Sequence, residues 1–199
     1  MDAKQGAFAV RLARKAVEEW VGKGERLARP KCGKCFLAKS GVFTTLYTYP
    51  GRDLRGCIGF PSPVLPLADG IIEAAISATQ DPRFPSLDKS ELDKIIIEVS
   101  VLTKPERIPA KKPEEYTGKI KIGRDGLIIK RGARSGLLLP QVPVEYRWDA
   151  NTYLQHLCMK AALPSDAWCA AGTEIYAFRS EIFGEKRPNG AIEKTAAKI

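Results

Sequence analysis

The segment LRGCIGF, residues 54–60, sets a guanidinium and a thiol two positions apart with a glycine between them. Successive side chains of a strand point to opposite faces, so in an extended segment Arg55 and Cys57 share one face while Leu54, Gly56 and Ile58 take the other. A cation beside a cysteine favours the thiolate, the form that attacks electrophiles. Cys57 is therefore a candidate nucleophile and Arg55 a candidate contact for an anion. Gly56 and Gly59 weaken the strand but permit a bulge or a close approach by a ligand or another backbone, so both join Arg55 as candidate ligand-binding positions. The competing reading keeps Cys57 as a small buried side chain and Arg55 in a structural ion pair.

A thiol nucleophile needs a base within reach. His156 is the single histidine of the chain, and so the one imidazole that can transfer protons near neutral pH. Cys158 lies two positions further on the same predicted helix and faces another direction, which leaves Cys57 with His156 as the candidate couple. Asp81, Asp149 and Asn151 compete as orienting groups. The alternative for His156 is a helical side chain satisfied by backbone or solvent. In DPRFPSL, residues 81–87, Pro82 and Pro85 restrict the backbone around Arg83 and Phe84. Arg83 is there a second candidate anion ligand, unless the loop is a solvent-facing turn pinned by Phe84.

Other motifs carry less. Cys32 and Cys35 in KCGKC have the two-residue spacing of zinc and redox sites, yet no second pair follows. The segment does not open a helix after a strand, as thioredoxin-like chemistry requires. Surface or local structural cysteines are the favoured reading, and no metal or cofactor is expected. GRDGLIIKRGARSG lacks the Gly-Lys-Ser/Thr ending of a P-loop, and its glycines suit turns of an antiparallel meander. Lys130, Arg131 and Arg134 form a positive patch at its hairpin tip.

The elements that must position these groups follow from hydrophobic periodicity. Ala9, Leu12, Ala13, Ala16, Val17 and Trp20 recur at helical intervals over about residues 7–21. GVFTTLYTYPGRDLRGCIGF reads as two strands around a turn at PGRD. LADGIIEAAISATQ is a helix with Leu67, Ile71, Ala74, Ala75 and Ala78 on one face, and KIIIEVSVLT is a strand. The order returns as a hairpin in GLIIKRGARSGLLLPQ, a helix in WDANTYLQHLCMKAAL capped by Asp149, and a strand in EIYAFRSEIF. Leu154, Leu157, Met159 and Ala161 are the expected apolar face of that last helix. An offset of about 80 residues relates Ile58 to Leu138 and Ile96 to Tyr176. The expectation is one α+β domain over residues 1–199, a mainly antiparallel sheet packed by helices. Two related hairpin-helix-strand units are expected over about 36–103 and 119–183, with a ligand cleft where the halves meet.

Composition narrows the function classes. At 199 residues and 44% hydrophobic, the chain can bury a substantial core. Its apolar runs are far shorter than a membrane span, and charges interrupt its amino-terminal helix, so a cytoplasmic protein is expected. Five cysteines do not demand a disulfide framework. The formal charge of +9 is uneven: residues 1–50 and 101–150 are basic, whereas residues 51–100 carry eight acidic against five basic side chains. That is no continuous stripe for nucleic acid. The second hairpin supplies cations without an aromatic row, so nucleic-acid readout is not favoured.

With the segments LRGCIGF, DPRFPSL, EVSVL (98–102), GRDGLII (123–129), GLLLPQV (136–142) and WDANTYLQHLCMKAALP (148–164) in place, the chain resembles the AMMECR1 domain family of archaea, bacteria and eukaryotes. The resemblance covers most of the chain from about Gly41 to Phe183, and leaves out KCGKC. It implies an α+β fold with a larger and a smaller part and a cleft lined by the RGC segment. Functions suggested across the family range from catalysis to nucleic-acid processing and protein interaction. Related bacterial domains are associated with Memo-like and radical-SAM partners. Residues and resemblance together favour a cleft around Arg55, Cys57 and Arg83 that binds or transforms a small polar or anionic metabolite. The alternative is a protein-interaction adaptor or a nucleic-acid-associated module, and whether the chain is an enzyme is left open.

Overall fold

The computed structural model describes residues 1–195; the last four positions of the expected 1–199 domain lie outside the described residues. Helix α1, Ala3–Lys23, starts earlier than its apolar stripe because Asp2 and Gln5 form a reciprocal capping box. It stops at Gly24, whose left-handed backbone lets its N–H reach the Trp20 carbonyl. A short helix α2, Lys34–Leu37, precedes strands β1, Val42–Thr48, and β2, Leu54–Phe60. Helix α3, Leu67–Ala78, strand β3, Ile95–Leu102, and the two-residue strand β4, Glu106–Arg107, follow. Then come α4, Glu115–Lys119, β5, Gly126–Arg131, β6, Arg134–Leu138, α5, Val142–Glu145, and α6, Ala150–Lys160. The last strands are β7, Glu174–Phe178, β8, Ser180–Glu185, and β9, Ile192–Thr195.

These elements build two compact units, the first from Met1–Leu102 with the segment that begins at Glu181, the second from Thr103–Ser180. In the first, the sheet runs β2-β1-β3-β8-β9. Ala9, Leu12, Ala13, Ala16 and Val17 of α1 and Ile71, Ile72 and Ala75 of α3 bury against Val42, Leu46, Ile97 and Val99 of the sheet. The alternate positions of β1 and β3, Thr45 and Glu98 among them, consequently project from the other face. In the second unit the sheet runs β4-β7-β5-β6. Leu127, Ile129 and Ile175 bury there with Tyr153, Leu154 and Leu157 of α6. Strand pairing is antiparallel between β1 and β2, β1 and β3, β5 and β6, β5 and β7, and β8 and β9.

Three local expectations are corrected. The antiparallel strands form two sheets where one was expected. EIYAFRSEIF is two strands: Arg179 exchanges hydrogen bonds with Thr103, its N–H meeting Thr103 Oγ1 at 2.8 Å and its carbonyl meeting the Thr103 N–H at 2.8 Å, and the chain passes from one sheet to the other. On α6 the buried face is Tyr153, Leu154, Leu157 and Cys158, while Met159 is exposed. The spacing 153, 154, 157, 158 is a regular helical stripe that Met159 leaves by a third of a turn.

Alternation also conceals a buried charge. Arg14 sits within the apolar face of α1, where it forms a two-pronged ion pair with Glu185 and donates to the Leu92 and Ile95 carbonyls at 2.9 Å each. Glu185 accepts in addition from the Ile97 N–H at 3.0 Å. Every side-chain nitrogen and oxygen of the pair thereby has a partner, as a buried charge requires.

Candidate functional site

Among the described residues, strand β2 is an edge of the first sheet, paired with β1 alone. The β1–β2 turn puts Thr45 directly opposite Cys57, and Thr45 in turn faces Glu98 on β3. Thiol, hydroxyl and carboxylate therefore form one row across three strands. The N–H and carbonyl of Cys57 both point away from β1, the mark of a non-hydrogen-bonded antiparallel pair, in which facing side chains come closest. The Thr45 hydroxyl accordingly donates to Cys57 Sγ at 3.3 Å.

The free backbone edge at Cys57 is closed by the DPRF loop. Asp81 Oδ2 accepts from the Cys57 N–H at 2.9 Å, and Arg83 Nη2 donates to the Cys57 carbonyl at 3.3 Å. The two side chains are joined by Arg83 Nε to Asp81 Oδ1 at 3.0 Å and Nη2 to Oδ2 at 2.6 Å. One carboxylate and one guanidinium thus supply the acceptor and donor that a neighbouring strand would have supplied. Four hydrogen bonds, two from the Arg83 guanidinium and one each from the Cys57 and Arg83 N–H groups, hold the Asp81 carboxyl well below the usual carboxylate range. Burial pushes the Cys57 thiol up; the Thr45 hydrogen bond and Arg83 pull it down, and Asp81 and Glu98 add to the rise. Cys57 is consequently a neutral thiol at neutral pH.

A second cation completes the face. Arg52, at a left-handed position of the turn, lies 5.3 Å from the centre of the Tyr47 ring and 3.7 Å from Glu98 Oε2. Burial, with Glu98 and Cys57 nearby, pushes the Tyr47 hydroxyl up to about 12. The side chains of Arg83 and Arg52 are 56% and 37% exposed, against 1% and 11% for Asp81 and Glu98. Cations are thus outermost and carboxylates innermost, so the face presents donors.

The remaining sequence candidates fall as follows. Arg55 turns to Glu91, with Nε to Oε1 at 2.7 Å and Nη2 to Oε2 at 2.9 Å, and so forms the structural pair of the competing reading. At Gly56 and Gly59 the close approach is by backbone: an added β-carbon would lie 2.2 Å from the Ala78 carbonyl oxygen and 2.3 Å from that of Val42, respectively. His156 belongs to the second unit, half-buried on α6, where its ring stacks on Trp148. Asp149 accepts from the Thr152 N–H at 2.7 Å as the N-cap of α6. Cys32 is half-buried against the first core and Cys35 exposed on α2. At the second hairpin, Lys130 lies 5.1 Å from the Tyr176 ring centre and Arg134 donates to the Ala162 carbonyl. Thr45, Tyr47, Arg52 and Glu98 were not singled out from sequence. Glu98, a lone charge inside IIIEVSVL, is the one that carried a signal.

An antiparallel α+β protein with a thiol-hydroxyl-carboxylate row on a guarded sheet edge is the class that fold and site define. The chain belongs to the AMMECR1 family, whose model matches residues 10–183. It is 53% identical over 190 residues to protein MJ0810 of Methanocaldococcus jannaschii, covering 95% of this chain and 94% of that one. It is 51% identical to protein MK0488 of Methanopyrus kandleri, covering 96% and 93%. The crystal structure of protein PH0010 from Pyrococcus horikoshii is similar at a TM-score of 0.80, with 48% identity over 98% of each chain. Among the described residues no helix is long and apolar enough to cross a membrane.

Proposed function

We propose that the sheet face around Cys57 binds a small polar or anionic metabolite, with Arg83 and Arg52 meeting its charged or polar groups and Thr45 and the neutral Cys57 thiol in contact. The observation that carries this reading is the ordering of charge, two partly exposed guanidiniums over two buried carboxylates, around a half-buried thiol. A functional cation must be open to its ligand: Arg83 and Arg55 are each bonded through Nε and Nη2, but the Arg83 side chain is 56% exposed and that of Arg55 only 12%. Cys57 is within this proposal a candidate nucleophile that must lose its proton on attack, and Glu98 lies in the same row as an acceptor. The proton-transfer role offered to His156 is a separate part of the proposal, tested by His156→Ala.

The test is a thermal-shift screen of carboxylate, phosphate and polyol metabolites, repeated on Arg83→Gln, Arg52→Gln and Cys57→Ser. Compounds should raise the melting temperature of the native chain and lose that effect in either arginine variant. No stabilising compound, or equal stabilisation of all variants, would contradict the proposal. Turnover of a confirmed ligand that survives in Cys57→Ser removes the nucleophile while leaving binding intact.

A further inference from the structure

The second unit carries a group of rings that the Cys57 site does not use. Tyr146, Trp148 and His156 stack in series: Tyr146 on Trp148 at 5.0 Å between centres and 20° between planes, Trp148 on His156 at 3.9 Å and 6°. Side chains two apart on a helix point in nearly opposite directions. Tyr146 and Trp148 meet because Arg147 between them adopts a left-handed backbone, φ 55°, and the Trp148 N–H returns to the Pro143 carbonyl at 2.7 Å. A left-handed non-glycine residue costs free energy, and here its consequence is the stack. Trp148 packs against the second core at the stack's centre, while the outermost residue, Tyr146, is 66% exposed.

Cations lie before, on and beyond α6. Arg147 is exposed beside the rings, and Lys160 lies one turn beyond His156 on the same face of α6. Just past the end of α6 the hairpin tip is tied down by Arg134, which donates to the Ala162 carbonyl, and Arg131 pairs with Arg134 across the two strands. Residues 103–180 hold thirteen basic against eight acidic side chains. Of those acids, Asp125, Glu115 and Glu174 are already in ion pairs. Asp149 is turned to the amino end of α6, which leaves Glu145 as the acid beside Tyr146.

We propose that Tyr146, Trp148 and His156 are a stacking platform for the bases of a single-stranded nucleic acid, whose phosphates are met by Arg147, Lys160 and, past the end of α6, Arg131 and Arg134. Near-parallel rings with an exposed outer member are what a base extends as the next layer, and any base can do so because each has a π face. The cations come from three separate segments, the turn before α6, its last residue and the hairpin tip beyond it, which suits a chain of phosphates better than a single anion. The hairpin cations lacked an aromatic surface in the sequence; α6 and the left-handed turn at Arg147 supply it. This inference is independent of the Cys57 face.

Fluorescence anisotropy with labelled single-stranded RNA and DNA of mixed sequence, about 12 nucleotides long, tests it across a salt series. The native chain should bind, with affinity falling as salt rises. Tyr146→Ala, at an exposed position with folding checked by circular dichroism, should weaken binding about 5- to 150-fold. Arg147→Gly, which suits the left-handed backbone and removes one charge, should reduce the salt slope by about one. Absence of binding at low salt, or undiminished affinity in Tyr146→Ala, would overturn the proposal. So would adenosine monophosphate binding as tightly as the oligonucleotides, which would make the ligand a free nucleotide. A Tyr146-dependent dimer seen by light scattering without oligonucleotide binding would assign the stack to a second copy of the chain, and overturns it equally.

Discussion

Cys57 keeps its proton because burial and two carboxylates outweigh one hydroxyl and one guanidinium. The guanidinium concerned is that of Arg83, which reaches the strand through the Cys57 carbonyl, while Arg55 is committed to Glu91. Sequence alternation placed Arg55 and Cys57 on one face, yet it carries no sign of a partner 36 positions away for Arg55, or of the carboxylate that accepts from the Cys57 N–H. Asp81→Asn keeps an oxygen acceptor but removes the charge opposite Arg83, and should cost about 1–3 kcal/mol of unfolding free energy. The folded carboxyl is held below its unfolded value, so its contribution is complete above the unfolded value, about 3.9, and is lost as pH falls toward the folded one. Urea denaturation should therefore find the gap between native chain and variant narrowing at about pH 3; a gap that widens in acid would contradict the assignment.

At the scale of elements, hairpins and helices were legible because period and turn chemistry agree, as with the four residues between Thr48 and Asp53, and the capping Asp149. What periodicity lacks is the identity of the neighbour. Gly56 was read as a point of close approach, and only the fold names the Ala78 carbonyl of α3 as what approaches. Gly56→Ala should thus destabilise by about 1–3 kcal/mol or more, since the obstacle is backbone that cannot step aside. Gly22, where an added β-carbon on α1 meets nothing within 4 Å, is the control. Gly22→Ala should stabilise by about 0.4–1 kcal/mol. Paired chemical denaturation of the two variants checks both signs; a tolerated Gly56→Ala would mean that β2 does not lie so close to α3.

The whole molecule repeats one strand arrangement: β2-β1-β3 in the first sheet and β6-β5-β7 in the second, each from a hairpin, a helix and a returning strand. This recurrence is the observation behind the internal repeat that we propose for about 36–103 and 119–183. The division of labour at the junction was not legible, because EIYAFRSEIF is apolar enough for one strand and the switch depends on Thr103, 76 positions from Arg179. The first unit is closed by chain from both ends, with Glu185 of β8 holding Arg14 of α1. Glu185→Gln leaves a buried guanidinium without its counter-charge and should cost about 3–5 kcal/mol by urea denaturation. A cost below about 1 kcal/mol, the size of an exposed pair, would show that β8 does not secure α1 through this ion pair.

Carboxymethylation of Cys57, followed by mass spectrometry with iodoacetate and neutral iodoacetamide as paired probes, tests the ligand face most directly. If Arg83 and Arg52 draw anions to a neutral thiol, the iodoacetate-to-iodoacetamide rate ratio at Cys57 in the native chain should exceed that in Arg83→Gln or Arg52→Gln by about 3- to 10-fold at low salt, and the excess should fade as salt is added. Both rates should go on rising past the pH at which an unperturbed thiol is half ionised, about 8.5. A ratio unchanged by either substitution, or a Cys57 that reacts only after the chain is unfolded, would contradict a binding face at this strand edge.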